Sequence, residues 1–504
     1  MIRRVPVPRR HLLPVWLAVA ATASIAVVMA TPRHGATHAQ VVLASTARIS
    51  EGAGAEVRNP RLSLTGDGAV FAVWEQVGAT APGLSDIYYR YLPAGGGWQP
   101  GAPGLLNRFA ESPTLATYGA AEVTVGFSQH SGVESEPRRV QYAVWNAETR
   151  KWLRPKTIPG IGEDGIEPDI AHEPDGTLWV TWISTRGGGR SPYYAKLRNG
   201  LVESGGTIDD CVVVNPSWPR IAVAADRDAA EQVHVVWYDD QYADGAFIQH
   251  ASREVAGAHW ACDGNDLQAF EAGQARSPVI EAAGADAVCM VWQEGDGPLG
   301  VGQRQEIIRY CETPGEILEQ SDLSARSTMP SLALAPGDLA LGPLVVWAEQ
   351  KAKALWFGYA TPPIQTPLRP NSRMPDIVFD PRTGDIHAVW VEDDGQGGAD
   401  VHYGRWSVLP PTPTHTGTPS RTPTPGVTAS ASPSTSATPG DATPPATVDP
   451  SATPPTPVEP TPTPSTPTPT AASPTPTASA TATPTPTDGV TRLYLSIAFR
   501  PPTW

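Results

Sequence analysis

One pattern dominates residues 40–408 and limits what they can build. Seven successive units begin with a proline followed by alternating apolar residues: Pro60-Arg61-Leu62, Pro113-Thr114-Leu115, Pro168-Asp169-Ile170, Pro219-Arg220-Ile221, Pro278-Val279-Ile280, Pro330-Ser331-Leu332 and Pro375-Asp376-Ile377. Turns rich in Gly and Asp come next, as at Gly66-Asp67-Gly68, Asp175-Gly176 and Thr383-Gly384-Asp385; these residues supply the positive φ of tight hairpins. The second apolar run of each unit ends on an aromatic: Trp74, Phe127, Trp182, Trp237, Trp292, Trp347 and Trp390, the first six spaced 53 or 55 residues apart. A third run follows, for example Ile87-Tyr88-Tyr89, Val140-Gln141-Tyr142 and Val401-His402-Tyr403, and a weaker fourth is expected around Trp98, Trp152 and Trp260. Alternation with β-branched and aromatic enrichment reads as strands, with no helical period between them.

A unit of four short antiparallel strands cannot bury both faces of its sheet alone, and it becomes stable by packing against its neighbours. The sequence therefore predicts an all-β fold: a β-propeller of about seven four-stranded antiparallel blades, within a range of six to eight. The recurring aromatic is assigned to the core between blades. The last unit has three clear strands, and Val41–Ser45 resembles the missing outer one. It is expected to pair with the strand at 400–406 and close the ring, which removes the open edges of a linear array.

Outside this region the composition changes. Arg3, Arg4, Arg9 and Arg10 precede an apolar run from Leu12 to Ala30, the order of an export signal within residues 1–39; an uncleaved membrane anchor is the alternative. Pro14 interrupts the run, which favours the signal, and no other segment is expected to cross a membrane. Residues 409–489 are almost wholly Pro, Thr, Ser and Ala, too poor in apolar surface to offset chain entropy, and are expected to form a disordered, extended stalk. Residues 490–504 form a short tail with the segment Arg492–Arg500, expected to act in sorting or surface retention.

The formal charge of −15 argues against nucleic acid, whose phosphates call for clustered Lys and Arg. Four cysteines in an exported chain suggest disulfides, and the absence of a Cys-x-x-Cys spacing argues against zinc. Cys289 and Cys311 sit on adjacent strands of the fifth unit and suit a cross-strand bridge. Cys211 and Cys262 then remain as a pair linking neighbouring units, although four cysteines allow three connectivities.

The second strand written as Val-Val-Trp-x-Asp/Glu and the third as Ile-x-Tyr, best developed at residues 233–240 and 386–403, resemble the sialidase-like superfamily of propellers and its bacterial neuraminidase-type repeats. The resemblance covers roughly residues 40–408. It implies the fold, and for an active member it would imply an Arg-Ile-Pro segment, three arginines clamping a carboxylate, a Tyr–Glu nucleophile pair and an acidic acid/base. This chain has no Arg-Ile-Pro and no Ser-x-Asp-x-Gly-x-Thr-Trp hairpin, Ala94–Trp98 being at most a remnant, so no catalytic residue is carried over. Arg61 and Arg220 follow the first-strand proline in only two of the seven units.

Candidate ligand contacts are the acidic residues that end the second strands: Glu75, Asp239, Asp240, Glu294, Glu349, Glu392 and Asp393, with Asp394 beside them. Gathered at the channel mouth, they would suit sugar hydroxyls, a basic peptide or a hard cation, calcium being the metal such oxygens favour. His387, Asp393, Asp394, Asp400 and His402 share one hairpin and have mixed metal-ligand character. No carboxylate pair stands out for glycoside hydrolysis, and no Gly-x-Ser-x-Gly elbow or phosphate loop is present. The expectation is a monomeric recognition module, secreted or on the cell surface, that binds glycan or an extracellular protein without catalysis and without a cofactor. The alternatives are a divergent glycosidase of sialidase-like fold and a structural envelope protein.

Overall fold

A computed structural model describes residues 40–409 apart from 52–55, 134–135, 159–163, 209–210, 212, 227–228, 241–245, 263–273, 283–287, 296–304, 314–315, 326, 335–342, 350–353, 359–370 and 396. The leader, most of the stalk and the tail lie outside the described residues. Among those described, no helix is long and apolar enough to cross a membrane.

The chain is a β-propeller, and each proline-led unit forms one blade. The first blade contains β2 (Glu56–Leu64), β3 (Val70–Val77), β4 (Ser85–Leu92) and β5 (Gly104–Asn107), hydrogen-bonded in that order from the axis outward. The second contains β6 (Ala110–Tyr118), β7 (Glu122–Gln129) and β8 (Arg139–Asn146), with two short outer strands, β9 (Lys151–Trp152) and β10 (Lys156–Thr157), pairing with β8. The third is β11 (Gly165–His172), β12 (Leu178–Ser184), β13 (Ser191–Arg198) and β14 (Leu201–Thr207). In the fourth, β15 (Pro216–Asp226), β16 (Ala229–Asp240) and β17 (Ala246–Glu254) carry a short β18 (Ala261–Cys262) on their outer edge. The fifth is β19 (Gln274–Ala282), β20 (Val288–Gly295), β21 (Gln305–Thr313) and β22 (Glu316–Ala325). Its first strand meets the fourth blade through a single parallel pair, Ala246 with Gln274. The sixth shows three strands among the described residues, β23 (Ser327–Leu334), β24 (Pro343–Glu349) and β25 (Ala354–Gly358).

The seventh blade joins the two ends of the ring. Strands β26 (Ser372–Asp380), β27 (Asp385–Asp393) and β28 (Ala399–Leu409) are completed by β1 (Gln40–Arg48), which runs antiparallel to β28 from Gln40 opposite Leu409 to Arg48 opposite His402. The expected closure is therefore present. One expectation for the outer strands is corrected: Trp98 lies in the loop before β5, and its ring packs edge-on against Tyr403 of the seventh blade, 5.0 Å between centroids. An indole offers more burial there than on a solvent-facing edge strand.

The core sits between blades. Each recurrent aromatic is at most 1% exposed, and each belongs to a cluster shared with the preceding blade. Phe127 packs with Val73 and Ile87, and Trp182 with Val140 and Tyr142. Trp237 packs with Trp179 and Tyr194, Trp292 with Val236 and Ile248, and Trp347 with Cys289 and Val291. Trp390 packs with Leu344 and Val346, and Trp74 closes the circuit against Val389 and Val401. Seven interfaces of this kind explain why a single blade could not persist alone.

Two disulfides are formed. Cys289 and Cys311 face each other across β20 and β21 with Cα atoms 4.1 Å apart, and Cys211 ties the segment entering the fourth blade to Cys262 on its outer strand, with Cα atoms 5.5 Å apart.

Burial of His387 is expected to make the fold acid-sensitive. His387, 5% exposed, has Nδ1 2.7 Å from the Tyr403 hydroxyl, and burial pulls its pKa down to about 4. A histidine that resists protonation when folded contributes stability above its unfolded pKa of about 6.5 and loses that contribution as pH falls toward about 4. Thermal denaturation between pH 7 and pH 4 should show a His387→Asn variant losing less stability than the parent; parallel curves would remove this assignment.

Candidate functional site

The same backbone irregularity occurs in every innermost strand. The pairing register slips between Arg58 and Arg61, Glu111 and Thr114, Ile166 and Asp169, Ser217 and Arg220, Arg276 and Val279, Thr328 and Ser331, and Arg373 and Asp376. In each case the residue just before the proline has a φ between 50° and 55°: Asn59, Ser112, Glu167, Trp218, Ser277, Met329 and Met374. A β-bulge of this kind bends the strand and re-aims its side chains. Positive φ is strained for residues other than Gly, and such strain collects at functional sites. Each bulge thus divides its inner strand into a part that faces the channel mouth, before the proline, and a part that lines the channel, after it.

At the mouth the bulge residues meet side chains from the ends of neighbouring strands and form guanidinium–carboxylate pairs. Glu75 accepts from Arg58 Nε at 2.6 Å, from Asn59 Nδ2 at 2.6 Å and from the Ser112 backbone N–H at 2.6 Å. Arg138 lies 2.7 Å from Glu111. Arg190 lies 3.5 Å from Glu167, donates to the Pro216 carbonyl at 2.9 Å and to Ser217 Oγ at 2.6 Å. Glu167 also accepts the Trp218 backbone N–H at 2.8 Å, which holds the strained Trp218 in place. The side chains of Trp218 and Tyr238 are half-buried in the same region.

The electrostatics follow from this packing. Burial would lower Arg58, but Glu75 outweighs it and the guanidinium is held above its ordinary value. Burial raises the carboxyl of Glu111; Arg138 opposes the rise, and the nearby Glu75 and Glu167 add to it. Burial likewise raises the Tyr238 phenol. A groove of about 270 Å³, lined by Glu136, Pro137, Arg138, Asp164, Ile166 and Thr185, runs beside the Glu111–Arg138 pair.

Behind the bulges the channel widens into a cavity of about 560 Å³ that opens between the hairpin turns at the other face. Its walls are mostly small and aliphatic, with Leu62, Ile170, Ala222 and Val378 among them, and Glu281 and His172 supply polar groups. Glu281 is exposed along the channel wall, and the enclosing blades, followed by the charges of Asp376 and Asp169, raise its carboxyl.

The acidic residues expected to ring the mouth have different local settings. Glu75, Asp239 and Glu294 are each 0% exposed. Glu75 caps two bulges as described, Asp239 accepts the backbone N–H groups of Val214 at 2.9 Å and Asn215 at 2.6 Å, and Glu294 accepts Trp292 Nε1 at 2.8 Å. Glu392 is half-buried and accepts Trp390 Nε1 at 3.3 Å. Asp393 is exposed and pairs with Arg373 at 3.1 Å. Asp240 is half-buried at the end of β16, and the Glu349 side chain lies outside the described residues. The hairpin cluster is drawn apart as well: His387 turns inward to Tyr403, Asp400 accepts from Ser50 Oγ at 2.9 Å, and His402 stacks on Trp390. Among the described residues, no three His, Cys, Asp or Glu side chains are grouped to hold a metal ion.

What the sequence reading passed over is the pair of positions before each proline. Their signal was present in the repeat itself: these positions vary from unit to unit and carry Arg58, Glu111, Glu167 and Arg276, whereas strand interiors stay apolar.

No family model matches the sequence, and no curated protein matches it. The chain is similar in structure to a protein of unknown function from Dyadobacter fermentans, with 10% identity over 73% of this chain and 99% of that one at a TM-score of 0.44. It is similar to an α-L-arabinanase from Penicillium chrysogenum solved with arabinobiose, with 10% identity over 73% of this chain and 100% of that one at a TM-score of 0.45. It is also similar to an α-L-arabinofuranosidase from Lactobacillus brevis, with 10% identity over 51% of this chain and 91% of that one at a TM-score of 0.34.

Proposed function

We propose that the propeller is a recognition module of sialidase-like type that binds a glycan at its mouth, outside the cell. One observation carries this reading: the Glu167–Arg190 pair stands beside the half-buried rings of Trp218 and Tyr238, and the Arg58–Glu75 and Glu111–Arg138 pairs continue the row of fixed polar groups on the two preceding blades. Planar polar groups held rigid by their partners offer donors and acceptors to sugar hydroxyls, and aromatic faces pack against the apolar face of a pyranose. The two disulfides suit an oxidising compartment, and the Arg-led apolar leader suits export to it.

A glycan array probed with the full chain tests this. Binding should be confined to a narrow set of glycans, and Trp218→Ala should weaken it at least about tenfold, the loss of one stacking contact and its neighbours. No bound glycan, or binding that ignores Trp218→Ala, would remove the proposal. A second reading, a divergent glycosidase, is favoured by one feature: a raised carboxyl at Glu111 beside Glu167, the setting of a general acid with a second carboxylate. Turnover of a fluorogenic glycoside that Glu111→Gln abolishes would put catalysis in place of simple binding.

A further inference from the structure

Away from the channel and its mouth, one strip of the rim departs from the charge of the rest. The stretch from Asn146 to Ile158 carries Arg150, Lys151, Arg154 and Lys156 against a single carboxylate, Glu148, in a chain whose net charge is −15. It turns from β8 into β9 and β10 and so forms the outer edge of the second blade, with Lys151 opposite Asn146 and Lys156 opposite Tyr142. All four cations are exposed. Residues that oppose each other across a ladder share one side of the sheet. Tyr142 packs into the cluster with Trp182 of the third blade, so the two lysines stand on the side that faces that blade. There the tip of the β13–β14 hairpin comes close: a Cβ on Gly200 would lie 3.2 Å from the Tyr142 hydroxyl and 3.3 Å from Lys156 Nζ.

Two observations set this strip apart from an ordinary solvated edge. Elsewhere on the rim, exposed arginines are held by carboxylates: Arg48 by Asp400, Arg198 by Asp175 and Glu203, and Arg405 by Asp385. Among the described residues, none of the four cations of the strip is ion-paired, and like charges gathered without counter-charges repel one another at a cost in stability. The second observation is the backbone of Arg150, whose φ is 51°. The corresponding turns of the first and third blades place Gly95 and Asn199-Gly200 in the left-handed region, which these residues adopt readily. An arginine kept in that conformation carries strain of the kind found where a side chain is needed for function. Leu153, 49% exposed, lies between the paired cations and gives the strip one apolar contact.

We propose that this strip binds a linear acidic polysaccharide, whose carboxylate or sulfate groups pair with Arg150, Lys151, Arg154 and Lys156 while a sugar face rests on Leu153. Its width favours a single polymer chain over a bilayer. The strip is one outer strand wide, and the next outer strand, β14, presents Glu203, which a flat anionic surface would meet at the same time. Nucleic acid is disfavoured because single strands are held by bases stacked on exposed rings. The indole of the strip, Trp152, turns inward instead, 5.4 Å from Trp145 and 5.9 Å from Tyr89 between centroids. The site lies on the outer edge of its blade and is independent of the glycan reading at the mouth.

Polygalacturonate and dextran sulfate, immobilised separately, are the probes, with unsubstituted dextran as the neutral control. The full chain should bind at least one of the two polyanions at low salt and ignore dextran, and its affinity should fall as salt rises, as expected when condensed counterions are released. The tighter of the two tells carboxylate from sulfate recognition. Arg150→Gln combined with Arg154→Gln should weaken binding by at least about tenfold, the loss of two charge contacts near the surface. Lys151→Gln combined with Lys156→Gln should do the same, which keeps the test intact if the first variant misfolds. Arg48→Gln, a rim arginine already held by Asp400 on the seventh blade, should leave binding unchanged. The proposal is overturned by failure to bind either polyanion, by binding that survives both double substitutions, or by an equal loss with Arg48→Gln. Tighter binding to phosphatidylglycerol vesicles or to DNA than to either polysaccharide overturns it as well.

Discussion

Deletion of residues 40–50 should lower the melting temperature by more than roughly 10 °C, a loss on the order of 5 kcal/mol. The ladder between β1 and β28 goes first, and with it the strand that, among the described residues, pairs with the outer edge of the seventh blade. Ile49 is lost as well; it is 1% exposed and packs in the cluster with Trp74, Val389 and Val401. So is Ser50, whose Oγ donates to Asp400 at 2.9 Å and accepts the Val401 backbone N–H at 2.8 Å. The ring would then be held shut by the packing of the first and seventh blades alone, with a long unpaired edge facing solvent. Differential scanning calorimetry checks this, with Leu43→Ser as the control: Leu43 is 46% exposed, and its substitution should shift the midpoint by no more than about 1–2 °C. A deletion variant that melts with the control would mean that closure adds nothing to stability.

The second large effect is expected at Glu75. Its carboxylate is fully enclosed and accepts three donors, one of them the guanidinium of Arg58 and another the backbone N–H of Ser112 in the next blade. Glu75→Ala leaves a partly buried cation and two enclosed donors without acceptors, a change of about 3–5 kcal/mol. Glu75→Gln keeps one oxygen for Asn59 and Ser112 and removes only the charge opposite Arg58, so about half that loss is expected. Urea unfolding at neutral pH measures both. Equal midpoints for Glu75→Ala and the parent would show that the bulges at Asn59 and Ser112 hold themselves.

The fold was legible because its determinants are local and repeated. Trp74, Trp182, Trp237, Trp292, Trp347 and Trp390 occupy equivalent buried places, and a side chain of that size at a fixed interval leaves few alternatives. The closing strand was legible from a deficit, the fourth strand that the last unit lacks. Trp98 misled because an outer strand is short and weakly patterned, so an aromatic in a loop can pass for part of it. The site was harder to read. Glu75 and Asp239 look like solvent-facing strand ends in the sequence, and only the curvature of the blade shows that neighbouring backbone N–H groups converge on them.

The seven bulges at the start of the innermost strands separate shape from content. Their backbone course repeats whether the residue before the proline is Asn59, Glu167, Trp218 or Met374, so the positions on either side behave as sockets in a fixed mount. A socket can be refilled without disturbing the interblade core, which lies farther out. Specificity in such a wheel can therefore drift one blade at a time, with most of the stability left behind in the rim.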